Sequence, residues 1–155
     1  MSALDVRIRH MGSEDVPRAL EIADSLGEAP HWTQDVYIHA LDRASSPARI
    51  ALVAEHPNAG VLGFLITVVV PPQAELETIA VSKLEQRKGI GAWLFAELLR
   101  ILKERQVTEV MLEVRESNHS ARSFYGRLGF AQTGRRNGYY SDPKEDAMLL
   151  HRLVE

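Results

Sequence analysis

Apolar residues along this chain recur first at every second position and then at every third or fourth, and the changes of period mark its elements. Val6-Arg7-Ile8-Arg9-His10 alternates and predicts a strand. Ser13-Glu14-Asp15 offers an N-cap with acids in the first turn, and Pro17 is tolerated that early in a helix. Val16, Ala19, Leu20, Ile22, Ala23 and Leu26 continue at helical spacing, with Gly27 as the expected stop. After a loop from Glu28 to Trp32, Thr33 caps a second helix through Val36, Tyr37, Ala40 and Leu41. Ile50 to Glu55 and Val61 to Val70, separated by Pro57, Asn58, Ala59 and Gly60, read as an antiparallel hairpin. Glu75 to Val81 is a further strand and Ile90 to Arg105 a long helix. Val107 to Arg115 reads as a strand, and Asn118 to Leu128 as a helix stopped by Gly129. Phe130 to Arg136 and Asp146 to Leu153 are two last strands around a loop, Asn137 to Glu145. The order βααβββαβαββ predicts an α/β (α+β) sandwich, a mixed sheet with helices on both faces. No repeat or linker interrupts it, so residues 1–155 are expected to form one domain.

Composition narrows the function. A net charge of −3 leaves no global basic field, and no direct contact with nucleic acid is expected. The absence of cysteine removes disulfides and thiolate nucleophiles together. The six histidines show no metal-ligand spacing, so no metal is expected. The longest apolar run, Val61 to Pro72, is too short and too β-branched to span a membrane, and the N-terminus lacks a signal-peptide core. A soluble, cytoplasmic protein without membrane attachment is the expectation.

The most informative stretch follows the strand Glu75 to Val81. Gln86-Arg87-Lys88-Gly89-Ile90-Gly91 leads straight into the long helix at Ala92 and Trp93. Glycines let backbone N–H groups approach a ligand, helix starts carry partial positive charge, and Arg87 and Lys88 add full charges. Such a loop suits a phosphate or pyrophosphate. It is not a P-loop, which needs GxxxxGK[ST], nor a Rossmann turn, because Leu94 occupies the third small position. Trp93 itself is expected to face the core.

Two residues could move protons. Glu113 lies in the apolar strand Val110-Met111-Leu112-Glu113-Val114, on one face with Met111 and Arg115. Burial there would raise its pKa toward the range of a general base; a plain ion pair with Arg115 is the other reading. Tyr125 shares a helix face with Ala121 and Leu128. It is either a tyrosine at the core edge or a phenol able to donate a proton at neutral pH. Asn118, at the start of the same helix, reads as an N-cap.

Gln86, Gly89 and Gly91 fit Q/R-x-x-G-x-G/A, and Asn118, Ala121, Phe124-Tyr125 and Leu128-Gly129-Phe130 fit N-x-x-A-x-x-[LF]-Y-x-x-x-G-F. Together, one strand apart, these resemble the two signatures of the GNAT superfamily of N-acetyltransferases. Pro30-His31-Trp32-Thr33, Glu75 to Val81, Leu112 to Arg115 and Arg136 to Tyr140 with Glu145-Asp146-Ala147 resemble its ribosomal-protein-alanine group. The resemblance implies a mostly antiparallel sheet of about seven strands with about four helices, and acetyl-CoA as cosubstrate. Glu113 would be the general base and Tyr125 the general acid. Ile79, Ala80 and Val81 would meet the pantetheine arm, and Arg87, Lys88, Gly89, Ile90, Gly91 and Ala92 the pyrophosphate. Gln86 belongs to the same loop motif, and Asn118 would complete the cofactor site. The implied acceptor is a protein N-terminus, the alanine of the eighteenth small-subunit ribosomal protein; the alternatives are a small-molecule amine or a lysine side chain as acceptor, or a non-catalytic acyl-CoA-binding sensor. Two positions depart from the pattern: Ala92 stands where a basic residue is common, and His31 interrupts the usual Pro-Trp pair.

Outside these motifs, Glu75, Glu77 and Asp142 are acids able to attract a basic peptide, with solvation as the plainer reading. Trp32, Tyr139 and Tyr140 are candidate walls of an acceptor pocket. Arg135-Arg136 reads as a solvated basic pair.

Overall fold

The computed structural model describes residues 5–26, 32–44 and 46–155, which places the expected Gly27 helix stop and the Pro30-His31 pair outside the described residues. Seven strands and four α-helices follow the expected order: β1 (Arg7–His10), α1 (Val16–Ser25), α2 (Gln34–Leu41), β2 (Ala48–His56), β3 (Gly60–Val70), β4 (Gln73–Val81), α3 (Ile90–Glu104), β5 (Glu109–Arg115), α4 (His119–Arg127), β6 (Ala131–Tyr140) and β7 (Glu145–Leu153). The strands form one sheet in the order β1-β2-β3-β4-β5-β7-β6. Every neighbouring pair is antiparallel except β4 and β5, which run parallel because α3 carries the chain across between them.

Each face of the sheet has its own apolar layer. On one face α1 and α2 pack Val16, Ile22, Tyr37 and Ala40 against Val53, Phe64 and Ile66 of the central hairpin. On the other, α3 lays a stripe of Leu94, Phe95, Leu98, Ile101 and Leu102 over Leu52, Leu65, Leu76, Val110 and Leu112. At about 1.5–3 kcal/mol per fully buried large aliphatic side chain, that stripe is the principal anchor of α3. It also fixes the helix phase. Trp93, expected in the core, lies off the stripe and is 38% exposed.

The feature that positions the site is the way β4 meets β5. They share register only at Gln73↔Glu109, Ala74↔Val110 and Glu75↔Met111. β4 stays paired with β3 to its end, and β5 with β7 along its whole length. Beyond Glu75 the two parallel strands therefore splay, and the sheet opens into a V. A register irregularity skips Glu77, since Ile66 pairs with Thr78 and Thr67 with Leu76. Such a bulge bends the strand locally.

The last hairpin differs from expectation. Asn137-Gly138 carries a turn signal, yet β6 continues to Tyr140 and the connection is only 141–144. Gly138 absorbs the irregularity at φ +60 as a bulge within the pairing, and its N–H donates to Asp146 Oδ1 at 2.8 Å. The β-favouring pair Tyr139-Tyr140 then resumes the strand.

Candidate active site

The loop between β4 and α3 is shaped as an open cradle. Gln86 donates from its side-chain amide to the Val81 carbonyl at 3.0 Å, tying the loop back to the strand end. Arg87 (φ 66) and Gly89 (φ 87) both adopt left-handed backbone, which turns the chain sharply into the helix. A Cβ on Gly89 would meet nothing within 4 Å, and no side chain caps α3. The first-turn N–H groups have no intrahelical acceptor, so they and the positive end of the helix dipole face open space. Gly91 has a different function: a Cβ there would stand 2.8 Å from the Phe124 ring, so this glycine lets α4 pack against α3. Of the two cations, Lys88 pairs with Glu85 at 3.0 Å, while the Arg87 side chain is exposed. Ile90 is buried, and Ala92 is exposed beside the cradle.

α4 starts differently. The Asn118 side-chain oxygen accepts from the Ala121 N–H at 3.1 Å, so the N-cap reading of this residue describes its geometry. The cap aligns α4 so that Ala121, Tyr125 and Leu128 pack onto the α3 side of the core. Tyr125 sits edge-on to Phe130, with ring centroids 5.8 Å apart. Burial, and then the neighbouring Tyr140, push its pKa up to about 12. The phenol thus holds its proton throughout the neutral range, as a proton donor must.

Glu113 projects from β5 on the face opposite Val110, Leu112 and Val114, at the splay. Its side chain is about one-fifth exposed. The pairing with Arg115 weighed from sequence is not formed: Arg115 instead reaches Glu145 at 3.3 Å and stacks over Tyr140 at 4.4 Å. The cation beside Glu113 is Arg136, at 3.5 Å. It comes from a pair read as solvated, and its placement depends on β6 lying across β7 from β5, which spacing does not reveal. Arg135, its neighbour, bridges Glu116 and Asp146.

Both candidate wall tyrosines of β6 arrive at the same place. Glu113 raises the pKa of Tyr139, because ionising that phenol would forfeit its bond to the carboxylate and set two negative charges together. Burial, then Glu113, push Tyr140 up to about 12. Tyr140 thus stands electrostatically between Glu113 and Tyr125. Glu75 joins from β4, and its pKa is raised by burial first and by Glu113 and Glu77 next, with Arg136 opposing. The residue as a whole is exposed. Glu77, at the bulge, is held by Arg49 at 2.8 Å. Trp32 packs on Tyr37, 5.3 Å between ring centroids, at the edge of the α1–α2 layer rather than on the Glu113 cluster. Ile79 and Val81 lie partly buried against the α3 side and Ala80 is buried against the other, along the stretch of β4 that β5 does not cover. Among the described residues no group of acids and histidines is arranged to hold a metal ion.

The loop at the uncapped start of α3, the stretch of β4 that β5 leaves uncovered and the Glu113 carboxylate all lie beyond the last paired position of β4 and β5. Residues 17–130 match the model of the acetyltransferase (GNAT) family. The chain belongs to that family. As a GNAT protein it is an acetyl-CoA-dependent N-acetyltransferase. It is similar to the [ribosomal protein bS18]-alanine N-acetyltransferase of Salmonella typhimurium (strain LT2), 32% identical over 142 residues, 90% of this chain and 92% of that protein. The enzyme of that name from Escherichia coli (strain K12) is 40% identical over 95 residues, 60% of this chain and 64% of that one. The crystal structure of the ribosomal-protein-S18-alanine N-acetyltransferase from Escherichia coli superposes with a TM-score of 0.81 at 29% identity, covering 97% of this chain and 94% of that one. No helix among the described residues is long and apolar enough to cross a membrane.

Proposed function

We propose that this chain, folded as one domain in the cytoplasm, transfers the acetyl group of acetyl-CoA to the N-terminal α-amine of a protein. The acceptor is taken to be the N-terminal alanine of the ribosomal protein bS18, the substrate that the similar enzymes are named for. The observation that carries the reading is the splay beyond Glu75, with Glu113 on β5 two residues past the last paired position. An extended ligand arm can lie along the free edge of Ile79, Ala80 and Val81 and hydrogen-bond to it. The Gln86–Ala92 cradle then receives the pyrophosphate, with Gly89 open, Arg87 exposed and the start of α3 uncapped. Asn118 contributes by fixing the start of α4.

Acetyl-CoA, when bound, supplies an activated thioester; the chain's residues handle protons. Glu113 accepts the proton of the acceptor amine. Backbone N–H groups on the free β4 edge donate to the thioester oxygen as negative charge develops there. Tyr125 delivers its proton to the departing sulfur. An α-amine has a pKa near 8 against about 10.4 for lysine, so roughly a tenth of α-amines are already neutral at about pH 7. One carboxylate base is enough for that acceptor. Tyr139 and Tyr140 wall the acceptor side, and the acids Glu75 and Glu77 favour a basic peptide; Trp32 contributes to the wall from the α1–α2 layer.

Acetyl-CoA consumption with two peptides tests the assignment. One begins Ala-Arg; the other is N-terminally blocked and contains lysine. Turnover of the first alone is the expected result, and transfer to lysine alone overturns it.

A further inference from the structure

Glu113 and Tyr125 stand on different elements, β5 and α4, and no residue of α4 is fully buried. Apolar burial alone therefore does not fix the helix that carries the phenol. Polar contacts hold both of its ends. Asn118 caps the start, and Arg152 of β7 clamps the finish, its Nε donating to the Leu128 carbonyl at 2.7 Å. The last carbonyls of a helix lack intrahelical partners, and a cation there also meets the negative end of the dipole. The Arg152 backbone pairs with Val110, on the strand that carries Glu113. Its guanidinium donates to the Leu153 carbonyl at 2.6 Å as well and lies over the Phe95 ring, 5.8 Å from the centroid. Beyond the clamp, the N–H groups of Leu128 and Phe130 donate to the Tyr125 carbonyl at 3.1 and 3.0 Å. An aromatic row runs the same way, Phe95 to Phe130 at 5.4 Å and Phe130 to Tyr125 at 5.8 Å. One side chain thus joins the strand of Glu113 to the turn that carries Tyr125.

We infer that Arg152 is a positioning residue for acetyl transfer, which sets the Tyr125 phenol toward the departing sulfur by clamping the Leu128 carbonyl. The inference rests on reading Tyr125 as the proton donor. Arg152 exchanges no proton itself; its bonds go to backbone carbonyls and its plane to an aromatic ring. Without the clamp, only the Asn118 cap and partly buried contacts hold α4. A small turn of the helix then swings the phenol oxygen, at the far end of its ring, further than the backbone beneath it. A misplacement of about 1 Å at a reacting group can cost about 10²-fold in rate. Arg152 is therefore expected to act on kcat, through Tyr125, and not on the binding of either substrate.

The test is a double-substitution cycle on the full chain, with acetyl-CoA and an Ala-Arg peptide: wild type, Arg152→Gln, Tyr125→Phe and the two together. Tyr125→Phe should lower kcat by about 10²-fold, and Arg152→Gln by about ten-fold with both KM values within about two-fold. In the Tyr125→Phe background Arg152→Gln should change kcat by less than about two-fold, because the group it places is gone. Arg152→Lys, which keeps a donor and the charge, should recover most of the loss. A loss of equal size in both backgrounds, a loss confined to KM, or no loss at all overturns the inference. Should Arg152→Gln fail to fold, Gly129→Ala probes the same bond, with the same outcomes deciding. Its Cβ would stand 3.0 Å from Arg152 Nε and push it off the carbonyl. Wild-type turnover of the peptide judges the proposed acceptor separately, and the cycle is run on whichever amine the wild type accepts. A Tyr125→Phe chain with wild-type kcat removes Tyr125 as the donor and overturns the inference with it. An enzyme that acetylates no amine overturns both readings.

Discussion

The two arms of the V are built on different principles. The arm of β1 to β4 is held by apolar layers on both faces, with α3 burying seven of its residues, including Leu94, Leu98 and Leu102. The arm of β5 to β7 is thinner: α4 has no fully buried residue, and most of β6 is exposed. One side of it, with Val110, Leu112, Val114, Met148 and Leu150, joins the α3 layer; the other side is tied by polar contacts. Arg115 binds the Ser141 and Pro143 carbonyls and Glu145, Glu145 accepts from the Ser117 N–H, and Arg135 spans Glu116 and Asp146. The first arm supplies the anion cradle, which needs rigid backbone. The second supplies Glu113, Tyr125, Arg136, Tyr139 and Tyr140, whose work depends on charge. On the proposed function, backbone-defined binding sits on the apolar core, and proton handling sits where charges are already balanced against one another.

Substitutions can break that division. The largest effect is expected from Glu113→Gln, with kcat falling by about 10²–10⁴-fold while acetyl-CoA affinity, read by calorimetry, holds. Affinity lost in parallel would mean that the arms do not divide the labour. Leu98→Ala, in the first arm, should cost about 2–5 kcal/mol in urea unfolding, because its surroundings on the sheet cannot collapse into the space.

The first arm has polar ties too: besides the Arg49–Glu77 pair, Arg9 clamps buried Asp15 at 2.8 Å and Glu55 at 3.0 Å. Asp15→Asn should cost about 2–3 kcal/mol, because the amide keeps one acceptor oxygen and sets its NH2 against a donor, from Arg9 or the Gly12 N–H, while the charge facing Arg9 is lost. The Arg9 guanidinium holds the Asp15 carboxyl below its ordinary value. A depressed folded pKa means that this stability is complete above the unfolded value, near about pH 4, and is lost as pH falls below it. Melting temperature against pH should therefore drop on the acid side in the wild type and flatten in Asp15→Asn.

Gly89→Ala strains a left-handed position at the cradle and should weaken acetyl-CoA binding about ten-fold, with kcat nearly unchanged. Smallest of all, Arg135→Ala removes an exposed bridge and should change kcat/KM by about two-fold, with less effect in high salt. A large loss there would show that the second arm depends on that bridge far more than its exposure suggests.

Much of the fold was legible in the sequence because its signals are local. Helical spacing and the Thr33 and Asn118 caps each depend on a few neighbouring residues. Tyr125 was placed correctly toward the core by the same periodicity. The misses share a cause. Arg136 reaches Glu113 only because β7 inserts between β5 and β6, a long-range register no window of sequence contains. Asn137-Gly138 signals a turn, but the Asp146 carboxylate captures the Gly138 N–H and keeps the strand going. Nor does sequence show that Gly91 also makes room for the Phe124 ring, from a helix some thirty residues on.

The three-position seam between β4 and β5 has a consequence for cooperativity. A sheet normally transmits stability sideways through continuous ladders, and here that continuity narrows to Gln73, Ala74 and Glu75. Amide protons on the two sides should therefore exchange with solvent as two families, the slower in β2 to β4 and the faster in β6 and β7. A ligand arm hydrogen-bonded along the free edge would act as a temporary eighth strand, slowing the second family toward the first. The enzyme's substrate would then be, for part of each turnover, a piece of its secondary structure.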